Sequence, residues 1–254
     1  MSLLHRLVEA VDARRPTVLV TVVASQRSVP RRPGSKMLVF ADGTIEGTIG
    51  GGEMEARVRA EAREALADGR PRRVAYSLVD PAAGDPGVCG GDVDLYLEPY
   101  MPTTTVYVIG AGHVGKAVVE LAHWLGYRVV VWDDRPDELA EVSVADAAMS
   151  GPLADALAAH PIDAFTRVVV VTRNVALDAS LLPLLLATPT PTIGLMGSTR
   201  RWATTRQLLI EAGIDAELLG KIRTPVGIEI GAETPREIAV SILAELIDEQ
   251  PGSP

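Results

Sequence analysis

The residues most able to do chemistry sit in the run GTIGGGEME, positions 47–55. Gly50, Gly51 and Gly52 stand between a strand-like segment and a helix-like one. Without Cβ atoms, such a turn lets the backbone come close to a ligand and leaves N–H groups to donate to it. Glu53 and Glu55 follow at once and would repel a bare anion, so a simple phosphate cradle does not account for the run. The same residues also describe a tight turn whose acids favour the positive end of the following helix. A second glycine-rich run, GVCGGD at 87–92, carries Cys89 beside Gly90 and Gly91. A cysteine so placed can be a nucleophile, a soft ligand or a sulfur carrier, or simply a small buried hydrophobe. Arg27, Arg31, Arg32 and Lys36 form a basic cluster between the first two strand-like segments.

The third motif is GAGHVG, positions 110–115, directly after an apolar strand pattern and before a helical one. It fits G-x-G-x-x-G, the dinucleotide fingerprint, with Gly110 for the turn, Gly112 for pyrophosphate approach and Gly115 for close helix–strand packing. Asp133 ends the next strand pattern, 23 positions beyond Gly110, against the ~20 expected of an acid that accepts from a ribose hydroxyl. Such an acid selects NAD over NADP, although the nearby Arg135 could reverse that preference. The alternative is a Rossmann fold that has lost its nucleotide or binds another one. His5, His113, His123 and His160 show no metal-ligand spacing. No Ser-His-Asp order, nucleophile elbow or Walker motif is visible.

The elements that must position these residues divide near residue 100. Positions 3–11 have apolar residues at helical spacing, TVLVTVVA at 17–24 reads as a buried strand, and Asp42-Gly43 signals a hairpin. Positions 53–68 read as a helix closed by Gly69, followed by strands at 73–78 and 93–97. Pro99 and Pro102 then break the chain. From Thr105 strand and helix alternate, with strands at VYVIG, RVVVWD, RVVVVT and TIGLM and a helix at 116–125, the signature of a parallel sheet. A capping box at Thr234 and Glu237 starts a last helix, 234–247. The expectation is an α/β protein: a small α+β domain over 1–100, then a Rossmann-like parallel-sheet domain over 104–254.

Composition bounds the function. The chain of 254 residues is 47% hydrophobic and carries a net charge of −9. That balance argues against a general nucleic-acid binder, whose affinity comes mainly from neutralising phosphates. One cysteine forms no intrachain disulfide, which suits a reducing cytoplasm. The amphipathic, acid-containing start reads as neither a signal peptide nor a span, and no stretch reaches the roughly 18 apolar residues of a membrane helix.

Taken in order, SVPRRPGSKMLV, GTIGGGEMEARV, CGGDVDLYLEP, VIGAGHVGKAV, VVVWDDRP, GLMGSTRR and GIEIGAETPREIAVSI resemble the XdhC/CoxI family over nearly the whole chain. The resemblance implies an accessory protein for xanthine dehydrogenase and related molybdenum hydroxylases. Such a protein binds the molybdenum cofactor (molybdopterin), supports its sulfuration and hands it to the apo-enzyme, with a cysteine desulfurase as sulfur donor. On that implication the cofactor site comprises Ser28, Arg31, Lys36, Gly50, Gly51, Gly52, Glu55, Cys89, Gly90 and Gly91. The N–H groups of Gly50 to Gly52 and the basic loop would hold the phosphate, Glu55 would bond pterin nitrogens, and Cys89 would sit near the terminal sulfur. Gly110, Gly112, Gly115 and Asp133 would hold a dinucleotide. One departure stands out: after Arg173 the run is NVALD, with Val175 where relatives commonly carry histidine. Two other readings are an NAD-dependent oxidoreductase, which lacks an obvious hydride-transfer acid or base beside the fingerprint, and a dinucleotide-sensing regulatory module. A homodimer is expected, because cytoplasmic oligomers are most often symmetric dimers.

Overall fold

The computed structural model describes residues 2–27, 29–77 and 91–249. The chain falls into two compact units that meet between Pro102 and Thr103.

The first unit runs α1 (Leu3–Asp12), β1 (Thr17–Gln26), β2 (Lys36–Phe40), β3 (Ile45–Gly47), α2 (Gly52–Asp68), β4 (Arg72–Ser77) and β5 (Asp92–Tyr100). Its five strands form one antiparallel sheet in the order β3-β2-β1-β5-β4. β1 is almost continuously apolar because both of its faces are covered. Val18, Val20 and Val22 pack with Met54, Val58 and Ala62 of α2, while Leu19 packs with Leu7 and Ala10 of α1. The Asp42-Gly43 turn closes β2 onto β3 as expected, with the Asp42 carboxylate accepting from the Thr44 N–H at 2.9 Å. Pro99 differs from expectation: it lies inside β5, opposite Val18. β4 begins at Arg72, opposite Leu97, so Pro99 lies beyond the end of β4 and its missing N–H costs no bond to that strand.

The second unit runs β6 (Thr105–Ile109), α3 (His113–Trp124), β7 (Arg128–Trp132), α4 (Pro136–Leu139), β8 (Ala147–Met149), α5 (Leu153–Ala159), β9 (Thr166–Val170), α6 (Val175–Leu186), β10 (Ile193–Leu195), α7 (Thr199–Glu211), β11 (Ile222–Arg223) and α8 (Pro235–Asp248). Its sheet has six strands, order β11-β10-β9-β6-β7-β8, and every pair is parallel. Val106, Val108, Val129 and Val131 pack against α3 and α8 on one face. Tyr107, Ile109, Val168 and Val170 pack against α6 on the other. Two covered faces explain the unbroken Val/Ile runs. α8 carries the expected capping box, Thr234 with Glu237, and buries Ala239, Ile242, Leu243 and Leu246. α3 starts at His113 rather than Lys116 because Gly115, without a side chain, lets its first turn close over the end of β6. No described helix is long and apolar enough to cross a membrane.

Candidate functional site

In the first unit, antiparallel connectivity collects, at one end of the sheet, those predicted site residues that are described. β1 ends at Gln26 opposite Asp92, which places Gly91 beside the start of the basic loop. Met37 of β2 pairs with Gly47 of β3, so the glycine run leaves from that same end. Gly50, Gly51 and Gly52 adopt φ of +146°, +83° and +70°, conformations that side-chain-bearing residues avoid. A Cβ on Gly50 would lie 3.0 Å from the Cβ of Pro30, so the basic loop packs on the glycine run. A Cβ on Gly51 or Gly52 would meet nothing within 4 Å. Those two glycines are required by backbone conformation, and they leave an open face.

Glu55 shapes this turn. It is 8% exposed, and its Oε1 accepts from the Thr48 hydroxyl at 2.6 Å, the Gly51 N–H at 2.9 Å and the Ile49 N–H at 3.2 Å. The Thr48 hydroxyl in turn accepts from the Gly50 N–H at 3.1 Å. Burial pushes the Glu55 pKa up, but these hydrogen bonds outweigh it and hold the carboxyl below its ordinary value. The N–H groups of Gly50 and Gly51 are therefore spent inside the loop, and Oε1 of Glu55 is spent with them. Lys36 donates to the Thr21 hydroxyl at 2.8 Å, whereas Arg31 and Arg32 are exposed. Ser28, Cys89 and Gly90 lie outside the described residues.

In the second unit the three fingerprint glycines have three separate environments. Gly110 has φ +113°, and a Cβ there would lie 2.8 Å from the Val171 carbonyl oxygen. A Cβ on Gly115 would lie 1.9 Å from the Gly110 carbonyl oxygen. A Cβ on Gly112 would meet nothing within 4 Å, and Gly112 is the N-cap of α3 with no side-chain capping bond. Open space thus faces an uncapped helix N-terminus, the arrangement that suits an anion. The adjoining cleft has a volume of about 330 Å³ and is lined by Gly112, His113, Asp134, Arg135, Arg173 and Met196, among others.

Asp133 is differently employed than its spacing suggests. It is 2% exposed. Its Oδ2 accepts from the Ala111 N–H at 2.7 Å and Arg135 Nη2 at 3.0 Å, and its Oδ1 from the Arg135 N–H and Nε, both at 2.9 Å. Two donors on each oxygen leave no acceptor position for a ribose hydroxyl in this state. Burial raises the Asp133 pKa, but the bonds from Arg135 and Ala111 outweigh it and the net shift is downward. Arg135 also bonds Glu138 at 2.9 Å.

Residues 106–246 match the XdhC Rossmann domain, and residues 10–77 match the XdhC and CoxI family. The chain belongs to the XdhC and CoxI family. It is 34% identical over 249 residues to the uncharacterized protein YqeB of Escherichia coli K12, covering 94% of this chain but spanning 44% of YqeB's length. It is 26% identical over 276 residues to the molybdenum cofactor insertion chaperone PaoD of Escherichia coli K12, covering 96% of this chain and 87% of PaoD. A crystal structure described as a xanthine dehydrogenase from Bacillus halodurans shares the fold, with TM-score 0.51 and 24% identity over 100% of this chain and 98% of that one.

One cluster in this XdhC-family chain escaped the sequence reading. Asp178 on α6 is wholly buried and receives Nε and Nη2 of Arg201 on α7 at 2.8 and 2.9 Å. Both Nη atoms of Arg201 also donate to the Thr172 carbonyl at 3.1 Å, and the Thr172 hydroxyl bonds Asp178. The cluster fixes the turn after β9, from which Arg173 extends. Nothing local in the sequence marks it, because Asp178 and Arg201 lie on different helices.

Proposed function

We propose that this protein binds molybdenum cofactor at the loop end of its antiparallel sheet and delivers it to a xanthine dehydrogenase-type apo-enzyme. One observation carries the reading: two left-handed glycines, Gly51 and Gly52, present open Cα faces beside a loop whose Arg31 and Arg32 are exposed. The naming of PaoD as a molybdenum cofactor insertion chaperone supports it. The bound group brings a phosphate, a hydrogen-bonding pterin and a molybdenum dithiolene end. Arg31 and the N–H groups at the start of α2 would meet the phosphate, with Lys36 alongside. Glu55 would act through the loop it shapes rather than on the pterin. Cys89 would serve sulfuration, with a cysteine desulfurase as donor, in a cytoplasmic homodimer.

The test is what purifies with the protein, read by molybdenum content and pterin fluorescence, with the oligomer mass taken by light scattering in the same run. Gly51→Val should lower cofactor retention at least tenfold, because it both strains the turn and fills its open face. Cys89→Ala should retain cofactor yet fail to activate a target hydroxylase. Retention by Gly51→Val equal to the parent would remove the loop from the site.

A second reading, favoured by the open face of Gly112, is that the Rossmann cleft binds a dinucleotide as a regulatory ligand. NAD would be preferred to NADP, because Nε, Nη1 and Nη2 of Arg135 already donate to Asp133 and Glu138 and would have to leave them to bond a 2′-phosphate. Calorimetry should show NAD⁺ binding several-fold tighter than NADP⁺. Equal or tighter NADP⁺ binding would reverse the assignment.

A further inference from the structure

β7 and β9 flank β6 in the sheet, and the residues just beyond their ends meet across the glycine turn that follows β6. Arg173 donates through Nη1 and Nη2 to the two carboxylate oxygens of Asp134, each at 2.6 Å. Both side chains are part-exposed, at 43% and 34%, and both line the cleft. The other cations here are more heavily committed. Arg135 is held by Asp133 and Glu138, and Lys116 by Glu138 at 2.9 Å and Glu141 at 2.7 Å. Arg173 bonds one carboxylate, with the Asp133 charge acting on it from farther off, and Asp134 lies 4.0 Å from Arg135 Nε, so Asp134 keeps a cationic neighbour if Arg173 leaves it.

We propose that Arg173 is the pyrophosphate-binding cation of the Rossmann cleft and that Asp134 holds its place when no dinucleotide is bound. The inference rests on the dinucleotide reading given above. The planar guanidinium fork that grips a carboxylate with two parallel bonds grips a phosphate with the same geometry. Both partners are part-exposed, so water screens the pair and releasing Asp134 costs less than breaking a buried pair. A pyrophosphate carries more charge than Asp134, and the uncapped N-terminus of α3 adds donors that a carboxylate just past β7 does not engage. The exchange needs little backbone movement. The Thr172 carbonyl is fixed by Arg201, and Asn174 caps α6 by accepting from the Leu177 N–H at 2.9 Å. Arg173 is thus anchored on both sides and only its side chain has to turn.

The experiment is calorimetric titration of the full chain with NAD⁺ at low salt, comparing the parent, Arg173→Gln and Asp134→Asn. Both substitutions lie on an exposed pair, and thermal melting verifies that each variant folds. Arg173→Gln should weaken NAD⁺ binding at least tenfold. Asp134→Asn should tighten it several-fold, because the ligand no longer displaces a carboxylate. Binding seen only with Asp134→Asn would also uphold the assignment. If the two variants shift affinity in the same direction, or neither shifts it, Arg173 is a latch or a bystander and the proposal falls while the dinucleotide reading stands. If none of the three proteins binds NAD⁺, both fall together.

Discussion

Gly115→Ala is expected to destabilise the Rossmann unit by about 3 kcal/mol or more, beyond the usual cost of overpacking a core. The added methyl would stand 1.9 Å from the Gly110 carbonyl oxygen. That atom is backbone, in a turn whose Gly110 N–H is bonded to the Trp132 carbonyl at 2.7 Å, so it cannot swing aside as a side-chain tip would. Either α3 moves off β6 or the glycine turn opens. At ~2–4 °C per kcal/mol for a unit of this size, the melting temperature should drop by roughly 6–12 °C. Gly112→Ala is the control. A methyl there meets nothing within 4 Å, and Gly112 has φ −69°, so its melting should stay close to that of the parent. Equal melting of Gly115→Ala and Gly112→Ala would show that the tight approach of α3 to the turn does not exist.

Arg201→Met should cost about 3–5 kcal/mol, the penalty for leaving a buried charge without its partner. Asp178 has no exposed surface, and losing Arg201 removes two of its donors together with two donors to the Thr172 carbonyl. The double variant Arg201→Met/Asp178→Asn should recover part of the loss, because it removes the stranded charge although the carbonyl stays unpaired. Denaturant midpoints of the three proteins make the comparison. A single Arg201→Met variant as stable as the parent would mean that the cluster is not buried as described. The same variant bears on the cleft: with the Thr172 turn released, Arg173 should lose its fixed base.

Much of this architecture is written in local pattern. β1 is legible because eight consecutive positions are β-branched, apolar or small, as a strand covered on both faces requires. The fingerprint 110–115 is legible because its spacing is local: a Cβ on Gly115 would strike the Gly110 carbonyl within six residues of chain, whereas the clash at Gly110 is with Val171 on a neighbouring strand end and is set by the tertiary fold. The Thr234–Glu237 capping box is local for the same reason. The left-handed turn at 50–52 is likewise announced by its three glycines, since few other residues accept those φ values.

What the sequence does not carry is the partner of each charged side chain. Asp133 reads as a ligand-binding acid because its spacing from the glycines is right, and Glu55 because the family resemblance implies it; neither signal shows how many donors reach the carboxylate. The tertiary structure turns Glu55 back onto the Thr48–Gly51 backbone and encloses Asp133 between Ala111 and Arg135. The Arg173–Asp134 and Arg201–Asp178 pairs join residues from separate strands and helices, brought together by the strand order β9-β6-β7 and by the packing of α6 on α7. Pro99 sits within a strand because β4 ends before reaching it. Hydrophobic periodicity fixes which face of an element is buried. Which charges then meet at the ends of those elements depends on how the elements are ordered in space, and that is decided only when the sheets assemble.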